Sequence, residues 1–279
     1  MSENKKTFAT PKVRKFAREL GANIDQIKGT ERKGRITQED VKNFIYNKLS
    51  ISKQSNKHQG EFNHSDFGEV DIKEIPRVKK LAAPHLVNSW KTIPHVTHHD
   101  EADITELEEF RSSLIDMNTG EKKKMSPLIF IIKSLVASLK KYPNFNSSID
   151  EIEKGKITLK KYFHIGIAVD TEHGLMVPKI RNVDKKKLNQ ISEELRDISD
   201  KCRKLKIDKK EFFGGSMTIT SLGGIGGSFF TPIINHPEVA ILGVGKTYYK
   251  QVLINDEFQK RTMLPLSLSY DHRIIDGAE

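Results

Sequence analysis

The chain has 279 residues, 36% of them apolar and 30% charged, and 47 Lys and Arg against 37 Asp and Glu leave a net charge of +10. That length holds one sizeable core plus a smaller unit, and a single cysteine, Cys202, excludes an intramolecular disulfide. No apolar run is long enough to span a bilayer and the first six residues lack a signal-peptide core, so a reducing, cytoplasmic setting with no membrane partner is expected.

Residues 7–48 predict a compact helical unit. Thr10-Pro11 reads as an N-cap and first helical residue, Val13, Phe16, Ala17 and Leu20 follow at helical spacing, and Gly21 ends the helix. A loop from Ile24 to Arg35 leads to a second N-cap, Thr37, with Asp40 at the capping-box position and Val41, Phe44 and Ile45 on the apolar face. Arg14 and Arg18 lie one turn apart on a shared face, and Arg35 comes from the following loop. Residues 49–70 are polar and read as a flexible linker, with His58 and His64 solvated inside it.

From residue 71 to 279 helical and strand patterns mix. Val78 to Trp90 predicts a helix with Leu81, Ala82, His85, Leu86 and Ser89 along one side, and residues 94–102 predict a strand. Asp103 caps a helix to about Ile115, and Ser126-Pro127 opens a strongly apolar helix that should sit in the core. His164–Asp170 and Leu175–Ile180 make a hairpin candidate, and Asp184–Leu205 an amphipathic helix. Strands follow at 216–222, 239–245 and 264–270, with a separate hairpin, 248–258, around Asn255-Asp256. The pattern is α/β with a mixed sheet.

Several residues invite chemistry. Gly223–Gly227 lacks dinucleotide-loop spacing and reads as a tight turn. Thr218 and Thr220 share one strand face and offer hydroxyls. His95, His98 and His99 suggest a metal, but His98 and His99 are adjacent on a strand and face opposite sides, so no metal is expected. Basic neighbours of Cys202 favour a thiolate, although an incidental thiol is the plainer reading. The basic helical unit lacks interleaved aromatics or a nucleic-acid motif, so no nucleic acid is expected. Near the end, Asp271-His272-Arg273-Ile274-Ile275-Asp276-Gly277 places an imidazole able to accept a proton from a thiol or hydroxyl four positions before a carboxylate.

This last run resembles the active-site signature of the dihydrolipoyllysine-residue acyltransferases of 2-oxo acid dehydrogenase complexes. Ile93-Pro94-His95-Val96-Thr97, Asp103-Ile104-Thr105-Glu106-Leu107, Phe145-Asn146-Ser147-Ser148, Gly166–Asp170, Gly174–Pro178 and Pro237–Val244 continue the resemblance in order, and Leu264–Ser269 is most like the pyruvate-complex form. Residues 7–48, with Val13–Arg18 and Gly29–Ile36, resemble that family's peripheral subunit-binding domain. The resemblance implies a chloramphenicol-acetyltransferase-like catalytic domain with a mixed sheet over 71–279. It also implies acetyl transfer between dihydrolipoyl-lysine and coenzyme A, with a lipoyl group carried on another domain.

By the same resemblance His272 is the general base and Asp276 an orienting carboxylate. Thr220, 52 residues before His272, is the hydroxyl facing the oxyanion. Arg14, Arg18 and Arg35 dock dihydrolipoamide dehydrogenase or the pyruvate decarboxylase component by charge pairing. Trimers with the active site between subunits build a large core, and no metal is needed. The family also carries lipoyl domains ahead of the binding domain and a helix after the Asp-Gly. The expectation is therefore a sequence truncated at both ends, with its C-terminal helix missing. Two other readings are an inert scaffold or binding component of the same complex and a free chloramphenicol-type acetyltransferase. His272, Thr220 and Asp276 together argue against the first, and the unit at 7–48 argues against the second.

Overall fold

The computed structural model describes residues 8–54, 63–115, 120–122 and 125–279. They fall into two compact units that divide between Lys73 and Glu74.

The first unit is built on α1 (Pro11–Glu19) and α2 (Gln38–Gln54). Thr10 Oγ1 accepts the Val13 amide, and the chain leaves α1 through Gly21 at φ 63°. At α2, Thr37 Oγ1 accepts the Asp40 amide at 3.2 Å while Asp40 Oδ2 accepts the Thr37 amide at 2.8 Å. This is the reciprocal cap expected from the spacing. Val13, Ala17, Ile27, Ile36 and Val41 form the small core, with Phe16, Phe44 and Ile45 against it. One expectation changes: α2 continues to Gln54, so the first residues assigned to the linker are helical. His64 sits in a short 3-10 turn, and His58 lies outside the described residues.

In the second unit α3 (Arg77–Thr92) leads into β1 (His95–Asp103) and α4 (Thr105–Ser113). Asp103 Oδ1 accepts the Thr105 amide and hydroxyl at 3.0 and 2.6 Å, fixing the start of α4. The apolar side expected for α3 is not core: Leu81 is 70% and Leu86 44% exposed, and only Ser89 is buried. Then come α5 (Pro127–Lys141), the two-stranded pair β2 (Ser147–Glu151) and β3 (Lys156–Leu159), β4 (Ile165–Ile167), β5 (Lys179–Ile180) and α6 (Leu188–Arg203). The last strands are β6 (Met217–Ser221), β7 (Ala240–Val244), β8 (Tyr248–Ile254) and β9 (Glu257–Asp271).

The main sheet runs β1-β9-β7-β6-β4-β5, with β8 also on β9. β4, β6 and β7 are mutually parallel and the other pairings antiparallel, so the sheet is mixed as expected. β4 and β5 make the expected hairpin, reduced to a short ladder with Ile165 opposite Ile180. One difference is larger. The second arm of the 248–258 hairpin does not stop but runs on as a single 15-residue strand. Its first half pairs with β8 and its second with β7, while β1 covers its other edge from Met263 to Asp271. Pairing along one edge or both lets the strand run on through its whole length.

Strand alternation separates two chemistries. Ile219, Leu268 and Tyr270 face an apolar core shared with Ile129, Ile132 and Val136 of α5 and Ile191 and Ile198 of α6. The opposite face carries Thr218, Thr220, Ser267, Ser269, Thr97 and His99 in register. Residues 228–238 cross this polar face: the Phe230 amide donates to Ser267 Oγ and the Ile234 amide to His95 Nε2. Their close passage explains Gly245, where a Cβ would collide with the Ser228 carbonyl.

Candidate active site

The C-terminal turn is built around Asp271. Its carboxylate has no solvent exposure and accepts a fork from Arg273, with Nε–Oδ1 at 3.0 Å and Nη2–Oδ2 at 2.6 Å. The Arg273 amide also donates to Oδ1, and the amides of Ile274 and Ile275 donate to the Asp271 carbonyl. His272 stands between these two residues. Its amide donates to the Pro94 carbonyl at 3.1 Å, while its side chain is 44% exposed and its ring centre lies 6.0 Å from that of Tyr270. A fixed backbone thus presents a solvent-accessible imidazole, which can take up and return a proton.

Asp276 Oδ1 lies 3.9 Å from His272 Nδ1 and its side chain is 87% exposed. At that distance and exposure the contact is not a hydrogen bond.

Thr220 is half-buried on β6, opposite Gly243 of β7, which is opposite Ser267 of β9. His272 lies two strands away and five residues further along. At about 4.8 Å per strand and 3.3 Å per residue, the register separates the two by roughly 15–20 Å. Within one chain the fold does not bring them together.

The polar face holds a buried cluster that the sequence reading missed. Lys179 Nζ donates to Glu238 Oε1 at 2.6 Å and to Thr218 Oγ1 at 3.4 Å, and Thr218 Oγ1 donates to Glu238 Oε2 at 2.6 Å. Asn235 Nδ2 adds a bond to Glu238, and its Oδ1 accepts from His85 Nε2. A Lys inside the apolar run Val177-Pro178-Lys179-Ile180 and a Glu before Val239-Ala240-Ile241 were the available signals.

His98 and His99 do face opposite sides: His98 lies edge-on to Tyr270, and His99 Nδ1 is 2.9 Å from Ser267 Oγ. His95 Nδ1 donates to the Ile93 carbonyl while Nε2 accepts from the Ile234 amide, so both ring nitrogens are committed to the backbone. Cys202 is corrected against the thiolate idea, because it is fully buried and burial pushes its thiol up to about 11, beyond what Arg203 offsets. In the first unit Arg14, Arg18 and Arg35 are all exposed, and Arg18 Nε reaches back to the Arg14 carbonyl along the shared helix face.

Residues 68–279 match the family described as 2-oxoacid dehydrogenases acyltransferase (catalytic domain). The chain belongs to this family. Residues 7–42 of this acyltransferase-family chain match the e3 binding domain. It is 47% identical, over 99% of its length and 52% of the relative's, to the Cupriavidus necator protein named dihydrolipoyllysine-residue acetyltransferase component of pyruvate dehydrogenase complex. The chain spans about half the length of the curated relatives it matches first. Its structure is similar to that of Azotobacter vinelandii dihydrolipoamide acetyltransferase, with TM-score 0.75 and 44% identity, covering 79% of this chain and 90% of that one. The roles of a serine, a histidine and an asparagine were investigated in that protein, at the same mutual spacings as Thr220, His272 and Asp276 here. The cubic core of the pyruvate dehydrogenase multienzyme complex gives the same TM-score and identity.

Proposed function

We propose that the second unit transfers an acetyl group between dihydrolipoyl-lysine and coenzyme A within a pyruvate dehydrogenase complex. The observation that carries this reading is His272: a solvent-accessible imidazole on a backbone held at Asp271, Arg273 and Pro94. A thiol of pKa about 8.5 is mostly protonated at neutral pH, so a positioned base is what thiol-to-thiol acyl transfer requires.

His272 takes the proton of the incoming thiol as its sulfur attacks the acetyl thioester carbon. The carbonyl oxygen becomes an oxyanion, and the Thr220 hydroxyl donates to it. The intermediate collapses by breaking the original C–S bond, and the departing sulfur takes the proton back from His272. Asp276 supports the charged imidazole at longer range. The dihydrolipoyl group enters as a thiol substrate on a lysine of a separate domain, and coenzyme A is the second thiol; an exposed imidazole with a hydroxyl donor suits both. Because the register keeps Thr220 and His272 apart in one chain, the site combines Thr220 of one copy with His272 of another, as in a trimer-based core.

The domain reading follows: 7–48 as a peripheral subunit-binding domain, 49–70 as the linker, whose first residues to Gln54 continue α2, and 71–279 as the acyltransferase unit. Arg14, Arg18 and Arg35 give the first a cationic surface for dihydrolipoamide dehydrogenase and the pyruvate decarboxylase component. The setting is cytoplasmic; among the described residues no helix is long and apolar enough to cross a membrane.

The test is acetyl transfer from acetyl-CoA to free dihydrolipoamide. His272→Ala should abolish it, and transfer at the unsubstituted rate would refute the base assignment.

A further inference from the structure

We propose that Arg273 is a positioning residue: acting through the buried carboxylate of Asp271, it holds the turn that aims His272. This deepens the acetyl-transfer reading and rests on it.

The argument is geometric. Asp271 is the last residue of β9, and its backbone is already committed: its amide donates to the Val239 carbonyl at 2.8 Å, and its carbonyl accepts from Ile274 and Ile275 at 3.1 and 3.0 Å. The carboxylate remains, fully buried and in need of a counter-charge. Arg273 supplies it, two residues on, through both Nε and Nη2 and through its own amide. A bidentate guanidinium fixes direction as well as distance, which a lysine ammonium cannot do. The chain therefore closes a tight loop with His272 at its apex, where the His272 amide also donates to the Pro94 carbonyl.

The carboxylate usually sought behind a catalytic histidine is here exposed and 3.9 Å away at Asp276. It is too weakly held to orient the ring, so orientation falls to the backbone, and the Asp271–Arg273 fork is what fixes that backbone. A displacement of about 1 Å in a catalytic group costs on the order of 10²-fold in rate. Losing the fork should therefore lower kcat while leaving substrate contacts, and hence KM, nearly unchanged.

The experiment compares the full chain with Arg273→Ala, Arg273→Lys and His272→Ala. Two readouts are acetyl transfer to dihydrolipoamide and hydrogen exchange of the amides of His272, Ile274 and Ile275. Arg273→Ala should lose kcat by roughly 10–100-fold with little change in KM, and the three amides should exchange faster. Millimolar guanidinium should restore a part of both, whereas Arg273→Lys should recover little because it cannot form the fork. Unchanged kcat in Arg273→Ala, or a loss that comes without faster exchange and without guanidinium rescue, overturns the proposal. Failure of the acetyl-transfer reading looks different: His272→Ala would be as active as the unsubstituted chain. Exchange and its rescue would then still decide whether Arg273 holds the turn.

Discussion

The Lys179 ammonium and the Glu238 carboxylate meet at 2.6 Å with side chains only 1% and 2% exposed. They sit under the polar sheet face, one alternation step from Thr220 along β6 through their shared contact, Thr218. Removing one partner strands a buried charge, which typically costs about 3–5 kcal/mol. Lys179→Met should therefore lower the urea midpoint of the second unit sharply. The double variant with Glu238→Gln should recover much of the loss. Equal loss in single and double variants would show that the pair acts by packing and not by charge.

The separation of Thr220 from His272 within one chain predicts complementation. Thr220→Val should reduce kcat by about 10²–10³ with a smaller effect on KM, since the hydroxyl acts on the oxyanion. His272→Ala and Thr220→Val chains, each nearly inactive, should regain activity when unfolded together and co-refolded, because some interfaces then carry both intact residues. No regain in the mixture would mean that each site is completed within its own chain.

Asp40 predicts acid sensitivity in the first unit. Burial raises its pKa, but hydrogen bonds from Thr37 and Thr30 outweigh this and hold it below the ordinary 3.8. A depressed carboxylate adds stability that is fully present above the unfolded value and is lost as pH falls through the folded one. The stability of α1 and α2 should thus decline below about pH 3.8 and stay flat above pH 5. Asp40→Asn should cost about 1–3 kcal/mol at pH 7 and abolish this acid slope. Urea equilibration followed by an exchange pulse at fixed pH reads both.

The exposed Arg14 and Arg18 predict salt-sensitive docking. Arg14→Ala with Arg18→Ala should weaken binding to dihydrolipoamide dehydrogenase on the order of tenfold at low salt, mainly through the association rate. Surface plasmon resonance at two ionic strengths tests this. Binding that is unchanged by the substitutions, or indifferent to salt, would remove these arginines from the interface.

Local chemistry was legible where one side chain serves its own neighbourhood. Thr10, Thr37 with Asp40, Asp103 and Ser126 all cap helix starts as their spacing implied, because a cap needs only the next three amides. The opposite faces of His98 and His99 followed from strand alternation alone. The readings that changed depend on distant partners. The single strand from Glu257 to Asp271 exists because β8, β7 and β1 line its edges. Leu81 and Leu86 share one side of α3 by helical spacing, but periodicity does not say what covers a face. Cys202 has basic sequence neighbours, yet desolvation governs its thiol.

The amino-acid sequence by itself determined the family, the two-unit organisation, the catalytic histidine candidate and the caps that start the helices. These reside in contiguous residue patterns. Only the tertiary structure decided that Arg273 pairs with Asp271, that Lys179 finds Glu238 across 59 residues, and that Thr220 and His272 lie two strands apart. The physical reason is common to all three. Sheet register and burial set which side chains meet and which charges lose water, and neither is a property of neighbouring residues.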